Sequence, residues 1–195
     1  MIKVILAIFL LMLSSQAGDF SKNPHVVAIN RELRNINSLK ANFRQVYGKD
    51  VETGAIFFKK SQGLFVHYNT TPISILVNKS AVTYYDSKLD QKSQIPTKES
   101  ASGVFVETLE ITEKKFDILN IKELDEAVVI VASLKEKKSE GIFTMYFSKK
   151  DYTLRRLDIE SPEDGGIVQI DIFSHSNEKI SNERFKSINI EKSSI

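Results

Sequence analysis

The chain has 195 residues, of which 42% are hydrophobic and 27% charged, with a formal net charge of +2 and no cysteine. So nearly neutral a balance gives no electrostatic footprint for nucleic acid, and the lack of cysteine excludes disulfides and thiolate metal sites. With no Pro-rich or Gly/Ser-rich linker and no internal repeat, this length suits one domain with a sizeable core.

The first element stands apart from that domain. Lys3 supplies a positive start, Val4 to Leu13 is an unbroken apolar run, and Ser14-Ser15-Gln16-Ala17 is small and polar. Small residues at Ser15 and Ala17 predict a secretory signal peptide over residues 1–17, cleaved after Ala17. A run of about 10 apolar residues is too short to cross a bilayer core, which takes roughly 20. A lipoprotein signal would need a Cys at the processing site, and none stands there. The expected product, residues 18–195, is a single domain free in the periplasm or secreted.

A helix comes next. Val26, Ile29, Leu33 and Ile36 recur at helical spacing, with Asn23 as the N-cap and Pro24 just inside the start. The period then becomes that of strands. Lys40 to Tyr47 reads as a strand and Gly48 to Thr53 as a turn. Gly54 to Lys60 and Gly63 to Asn69 read as a hairpin across Ser61-Gln62. Ile73 to Val77 and Val82 to Asp86 continue the series, with a short strand around Gln91 to Ile95.

Between Pro96 and Asn120 the alternation stops. Gly103 to Leu109 and Lys114 to Leu119 read as short helices, apolar on one side. Strands resume at Ala127 to Ser133, Ile142 to Ser148, Thr153 to Glu160 and Ile167 to Ser174, with one more short strand expected near Phe185 to Ile190. Short connections favour a meander of antiparallel neighbours, and one sheet of so many strands must curl, split or close.

Some strands have one wet face: Val168, Ile170 and Ile172 alternate with Gln169 and Asp171, and Leu157 and Ile159 with Arg156 and Asp158. Others are apolar on both faces: Ile56-Phe57-Phe58, Val128 to Val131 and Phe143 to Phe147. These fit either the middle of a sheet under helices or one wall of an apolar cavity. Motifs for chemistry are missing. His25, His67 and His175 lie in unrelated elements without metal-ligand spacing, and neither a nucleophile elbow nor a phosphate-binding Gly loop occurs. Ser102 with His67 is a candidate hydrolytic pair that no motif joins. Asp117, Glu123, Asp125 and Glu126 read as surface charge.

Phe43-Arg44-Gln45 on the first strand, Gly54 opening the second, Lys59-Lys60 at its end, Pro72 ahead of Ile75-Leu76-Val77, and Tyr85-Asp86-Ser87-Lys88-Leu89-Asp90-Gln91 occur in this order. The set resembles the outer-membrane lipoprotein carrier protein family (LolA), from about Leu39 to Gln91, as a divergent member. The resemblance implies a mainly β fold (α+β), a strongly curved antiparallel sheet forming an incomplete β-barrel lidded by about three short helices. It implies a periplasmic carrier, with no enzymatic activity and no cofactor or metal, that shuttles lipoprotein acyl chains from the inner to the outer membrane. The implied partners are acylated lipoproteins, an inner-membrane ABC-type lipoprotein-releasing complex, and an outer-membrane receptor or the outer membrane itself. The carrier itself is expected to be a monomer.

The departures are specific. Lys60 and Ser61 stand where the family has an Arg-Pro pair whose Arg latches the lid. Lys keeps the charge and loses the planar fork. Lys79 replaces the Gly of an Asp-Gly turn beside Asn78, which tolerates left-handed geometry, and Thr83 replaces a Trp. If Lys60 points inward, alternation assigns Ile56, Phe58, Leu64, Val66 and Tyr68 to the lipid-binding cavity, away from Phe65 and His67, with Val104, Phe105 and Leu109 in the lid and Lys60 as latch. Plain core remains the alternative for each cavity residue, and an exposed turn lysine for Lys60. A lipid-binding sensor on the same scaffold, a periplasmic hydrolase and an extracellular adhesion domain are the competing functions.

Overall fold

Asn23 starts the helix by accepting hydrogen bonds on its side-chain oxygen from the His25 and Val26 backbone N–H groups, at 2.9 and 3.3 Å. Pro24 occupies the first helical position, where its missing N–H costs nothing. The computed structural model describes residues 20–99, 109–136, 138–162 and 165–186, so the predicted signal segment lies outside the described residues. α1 spans Pro24–Asn35 and buries Val26 and Ile29.

The described residues form eleven strands: β1 (Ser38–Tyr47), β2 (Asp50–Lys59), β3 (Gly63–Tyr68), β4 (Ile73–Val77), β5 (Ala81–Asp86), β6 (Gln91–Pro96), β7 (Phe116–Glu123), β8 (Ala127–Leu134), β9 (Ile142–Ser148), β10 (Leu154–Glu160) and β11 (Ile167–Ser176). They make one antiparallel sheet in the order β6-β5-β4-β3-β2-β1-β11-β10-β9-β8-β7. Each strand pairs with its neighbour in sequence, except that β6 and β7 are the two edges and β1 pairs with β11. The fold is therefore mainly β, an unclosed barrel, as the resemblance implies.

Three local expectations are corrected. The turn expected over Gly48 to Thr53 is only Gly48-Lys49: Gly48 takes φ +58 and β2 begins at Asp50, with Val46 paired to Val51. Lys114 to Leu119 is not a helix, because Phe116 begins β7. A bulge between Ile118 and Asn120 leaves Ile118 and Ile121, three apart, beside Ala132 and Ile130 respectively. Within the expected helix, Phe116 and Leu119 are three apart as on one helical side, but Leu119 falls in the bulge and is exposed. Of the strand expected near Phe185 to Ile190, residues 187–190 lie outside the described residues, and Phe185 and Lys186 belong to a single helical turn, α2 (Glu183–Lys186). Of the expected helix Gly103 to Leu109, only Leu109 is described, and it lies outside any regular element. Among the described residues α1 is the one helix longer than a single turn.

The register gives the sheet two distinct faces, since residues directly opposed across antiparallel strands share a side. On the inner face α1 packs its Val26 and Ile29 against Val128, Ile130, Ala132, Leu134, Phe143, Met145 and Phe147. Leu157 and Ile159 continue that face to Ile170 and Val168, and Ile172 continues it to Phe43 on β1. The outer face carries the alternate residues: Arg156 pairs with Asp158 at 2.7 and 2.8 Å, its guanidinium lies over the Tyr146 ring, and Arg44 approaches Asp171. Outside β2–β4, Phe57, Phe65 and Leu76 are covered by Ile180 and Phe185 of the C-terminal segment. The Lys59 ammonium holds that segment through the Ile180 carbonyl and Asn182, and Arg184 lies 4.2 Å over the Phe57 ring.

Gly54 shows why one motif position admits no side chain. A Cβ there would lie 2.1 Å from the His67 carbonyl oxygen and 2.6 Å from the Phe43 ring. Phe43, 2% exposed, covers the bare backbone, and Tyr68 meets its ring edge-on at 5.1 Å. Tyr68 donates its hydroxyl to Gln45 at 3.0 Å, so the Phe-x-Gln pair and Gly54 form one packing unit. The Tyr-Asp motif is also structural. Asp86 accepts from the Lys88 and Leu89 N–H groups in an Asx turn, and Tyr85 donates to Asp90. Asn78 works the same way, accepting from Ser80 and Ala81 without taking a left-handed φ.

Gly54→Ala is expected to cost at least about 2 kcal/mol, because the clashing atom is backbone. Urea unfolding monitored by circular dichroism measures this. A second prediction concerns acid. Burial raises the Asp151 pKa, but the Thr153 hydroxyl and N–H, Ser148 and Arg155 outweigh it and hold the carboxyl down at about 2, against an ordinary 3.8. This depressed folded pKa contributes stability above pH 3.8 that is lost as pH falls towards 2. The side chain is 41% exposed, so solvent screening keeps the effect below about 1 kcal/mol. The stability gap between wild type and Asp151→Asn should shrink from about pH 5 to about pH 2.5 in urea titrations.

Candidate functional site

The inner face continues past Phe43 as an apolar wall. Ala41 opposes Ile56, Ile56 opposes Val66, and Val66 opposes Ile75; Leu39, Phe58, Leu64 and Val77 form the parallel row. Tyr68 stands opposite Gly54 on the same face. The structure thus brings the five predicted cavity residues, Ile56, Phe58, Leu64, Val66 and Tyr68, to the side on which α1 lies. Phe65 and His67 are outside, as alternation requires; His67 contacts Ser74 at 3.0 Å there.

Burial changes along this wall. Phe58, Val77 and Val82 are buried; Ile56, Leu64, Val66 and Tyr68 are half-buried; Tyr84 is 38% exposed. The buried row lies at the end where Lys60 stands, and the exposed Tyr84 lies nearer the opposite end. At that opposite end Glu52 and Gln45 join the inner face, and Glu52 accepts a hydrogen bond from the Thr70 hydroxyl. The Tyr68 pKa is raised by burial first, then by the charges of Glu52 and Tyr84.

Lys60 is exposed and sits in the turn after β2. Its ammonium donates to the Arg34 carbonyl at 3.2 Å, while its backbone N–H donates to the Asn37 carbonyl. A helix leaves its last carbonyls unsatisfied and slightly negative, so a lysine there both caps α1 and meets its dipole. At the other end of α1, His25 contacts Glu123 and Tyr152, each at 3.2 Å, and Glu123 pairs with Lys149 at 2.5 Å. Lys149 first, then His25, lowers the Glu123 pKa. In mid-helix the Asn30 amide donates to the Ile111 carbonyl and accepts its N–H, both at 2.8 Å, while Arg34 pairs with Glu110. A cleft of about 350 Å³ lies beside these contacts, lined in part by Val27, Asn30 and Ile118.

Of the predicted lid, Val104 and Phe105 lie outside the described residues, and Leu109 is half-buried two positions before Ile111. Ser102 lies outside them too. The three His have separate surroundings: His175 is held between the Leu154 carbonyl and Arg155, and burial first, then Arg155, lowers its pKa. Asn30, Glu52 and Tyr84 were missed from sequence. An isolated Asn, Glu or Tyr carries no periodic signal, and their partners become visible only through the register.

Several comparisons bear on this arrangement. The model of the family described as outer membrane lipoprotein carrier protein LolA matches residues 34–187. Among solved structures, an uncharacterized conserved protein from Thermus thermophilus superposes with a TM-score of 0.56 at 11% identity, covering 86% of this chain and 93% of that one. A putative outer membrane lipoprotein-sorting protein domain from Vibrio parahaemolyticus gives a TM-score of 0.51 at 9% identity, covering 83% and 94%. At such identities the likeness is one of fold. No curated protein matches the chain in sequence.

Lys60→Ala should free the C-terminal end of α1. Hydrogen exchange at Ile36 should accelerate while overall stability falls by no more than about 1.5 kcal/mol, the worth of one exposed charged bond. Unchanged exchange would mean that Lys60 does not hold the helix.

Proposed function

We propose, proceeding from the fact that this chain belongs to the outer membrane lipoprotein carrier protein LolA family, that it binds lipoprotein acyl chains against the inner face of its sheet. It carries them through the periplasm from the inner to the outer membrane and performs no chemistry. Residues 1–17 are the cleaved signal peptide, and residues 18–195 the carrier domain. The implied exchange partners are a lipoprotein-releasing complex of the inner membrane and a receptor or lipid surface at the outer membrane.

The observation that carries this reading is the continuous apolar wall of Ile56, Phe58, Leu64 and Val66 on the α1 side of an unclosed sheet. Each CH₂ removed from water contributes about 0.8 kcal/mol, so several acyl chains need such a wall to leave a membrane. The carrier must release them without nucleotide hydrolysis, which calls for a cover held by weak, reversible bonds. Lys60 to the Arg34 carbonyl is a bond of that kind. A hydrolase would need its Ser and His together within the cavity, whereas His67 stands on the outer face.

The test is native mass spectrometry of the protein purified from a native periplasm. Wild type should carry the mass of a lipidated protein, and folded Val66→Glu should be empty, because an unpaired buried charge is not tolerated there. A consistently empty wild type that also fails to take lipoprotein from membranes would refute the carrier reading. Lipid bound but never delivered to an acceptor membrane would favour a sensor.

A further inference from the structure

One apolar row of the inner face runs to the free edge of the sheet. Leu39, Phe58, Leu64, Val77, Val82 and Ile95 oppose one another in turn from β1 to β6. Val82 is fully buried, whereas Ile95, on the edge strand, is 39% exposed. The row thus ends in an open aliphatic side chain, close to the turns at that end of the sheet.

Those turns carry lysines. Lys60 follows β2, Lys79 lies between β4 and β5, and Lys98 follows β6; all three are exposed. The turns are fixed against one another. A Cβ on Gly63 would run into the Val77 carbonyl oxygen, so the chain after Lys60 backs onto the Lys79 turn. The Asn78 side chain accepts from the Ser80 and Ala81 N–H groups, and its backbone carbonyl accepts the hydroxyl of buried Thr97. Lys79 and Lys98 therefore flank one hydrogen-bonded junction. From β2 to β6 the rim spans roughly 19 Å, four strand spacings.

The rim is positive, and its surroundings do not cancel it. Among the described residues no carboxylate lies within ion-pair distance of Lys60, Lys79 or Lys98. On α1 and the segment beside it, Arg31 pairs with Glu32 and Arg34 with Glu110. Lys59 is turned to the outer face, where it holds the C-terminal segment, and Lys40 pairs with Glu178. Glu99 follows Lys98 in the chain and still leaves the rim net positive. At the other end of β1–β6 the balance is reversed: Asp50, Glu52, Asp86 and Asp90 outnumber Lys49, Lys88 and Lys92. This half of the molecule is polarised along its strands, positive where the apolar row reaches the edge.

We propose that this rim is a membrane-contacting surface: Lys60, Lys79 and Lys98 seat on the anionic headgroups of a bilayer, and acyl chains pass between bilayer and inner face across Ile95. This rests on the acyl-binding reading given above and adds the surface at which the chains change hands. Charge complementarity selects the occupant, since each lysine against an anionic lipid surface is worth about fivefold in affinity. An exposed aliphatic side chain among lysines also suits the boundary between headgroups and acyl chains.

The probes are vesicles of phosphatidylcholine alone and of phosphatidylcholine mixed with phosphatidylglycerol, with binding read by co-flotation. Wild type should bind the anionic vesicles at least about tenfold more tightly than the neutral ones and lose that preference in about 0.5 M salt. Lys79→Gln combined with Lys98→Gln should weaken anionic-vesicle binding by about twentyfold, and Lys49→Gln combined with Lys88→Gln by no more than about twofold. A nitroxide on the lipid headgroup should broaden the amide resonances of Asn78 to Ala81 and spare those of Ser87 to Asp90. Equal binding to both vesicles, equal losses from the two double variants, or broadening confined to Ser87 to Asp90 would each overturn the membrane surface. Loading with lipoprotein supplied in detergent, read by native mass spectrometry, separates this from the carrier reading. A wild type that loads but ignores anionic vesicles sinks the rim alone; one that never loads sinks acyl binding, and the rim's role in transfer with it.

Discussion

Among the described residues the pairing of β1 with β11 is the one hydrogen-bonded strand pair not consecutive in the chain. It joins residues roughly 130 positions apart and so bears most of the loop-closure cost of the fold. On one side of it lies the β2–β6 meander with its open apolar wall; on the other lies β7–β10 with α1 packed on it. Without this seam there would be two separate meanders, each with bare edges. β1 therefore has to be well packed on its own account. Phe43 over Gly54, with Tyr68 and Gln45 beside it, supplies that packing at the join.

The division of labour across the seam sets what the molecule can bind. The β7–β10 half spends its inner face on α1, through Val26 and Ile29. The β2–β5 half has no such partner among the described residues, and its wall changes from buried to exposed from Val82 towards Tyr84. The end of α1 meets the second half through Lys60. The outer face of β2–β4 is closed by the C-terminal segment, through Ile180, Phe185 and the Lys59 bond. Lys59 and Lys60 thus tie adjacent points of one strand end to opposite sides of the sheet. The C-terminal segment secures the outside of β2–β4, and the exposed Lys60 bond joins the end of α1 to the inner side of that half.

Much of this was legible from the residues. The period-two alternation in Ile167 to Phe173 and Leu157 to Glu160 identified the inner face of β10 and β11, because one wet and one dry face leave that trace. Alternation from Lys60 put Ile56, Phe58, Leu64, Val66 and Tyr68 on one side correctly. β7 was misread because Phe116 and Leu119, three apart, look like one side of a helix, whereas Leu119 falls in the bulge between Ile118 and Asn120 and is exposed. The helical turn at Phe185 was not foreseen because Ile180 and Phe185, five apart in a polar run, show no period; the apolar Phe57, Phe65 and Leu76 beneath them explain their burial. The Asn30 amide pairing and the Glu52–Tyr84 end of the wall depend on contacts between distant elements, which periodicity does not encode.

The claim that acyl chains lie on the inner face of β2–β5 is tested most directly by placing a photoreactive benzophenone amino acid at Val66 or at His67, adjacent residues of β3 that face opposite sides. After irradiation in the periplasm, the Val66 position should give an adduct with lipid-modified lipoprotein and none with its unlipidated form, and the His67 position should give neither. Equal adducts at both positions, or an adduct confined to His67, would contradict the account.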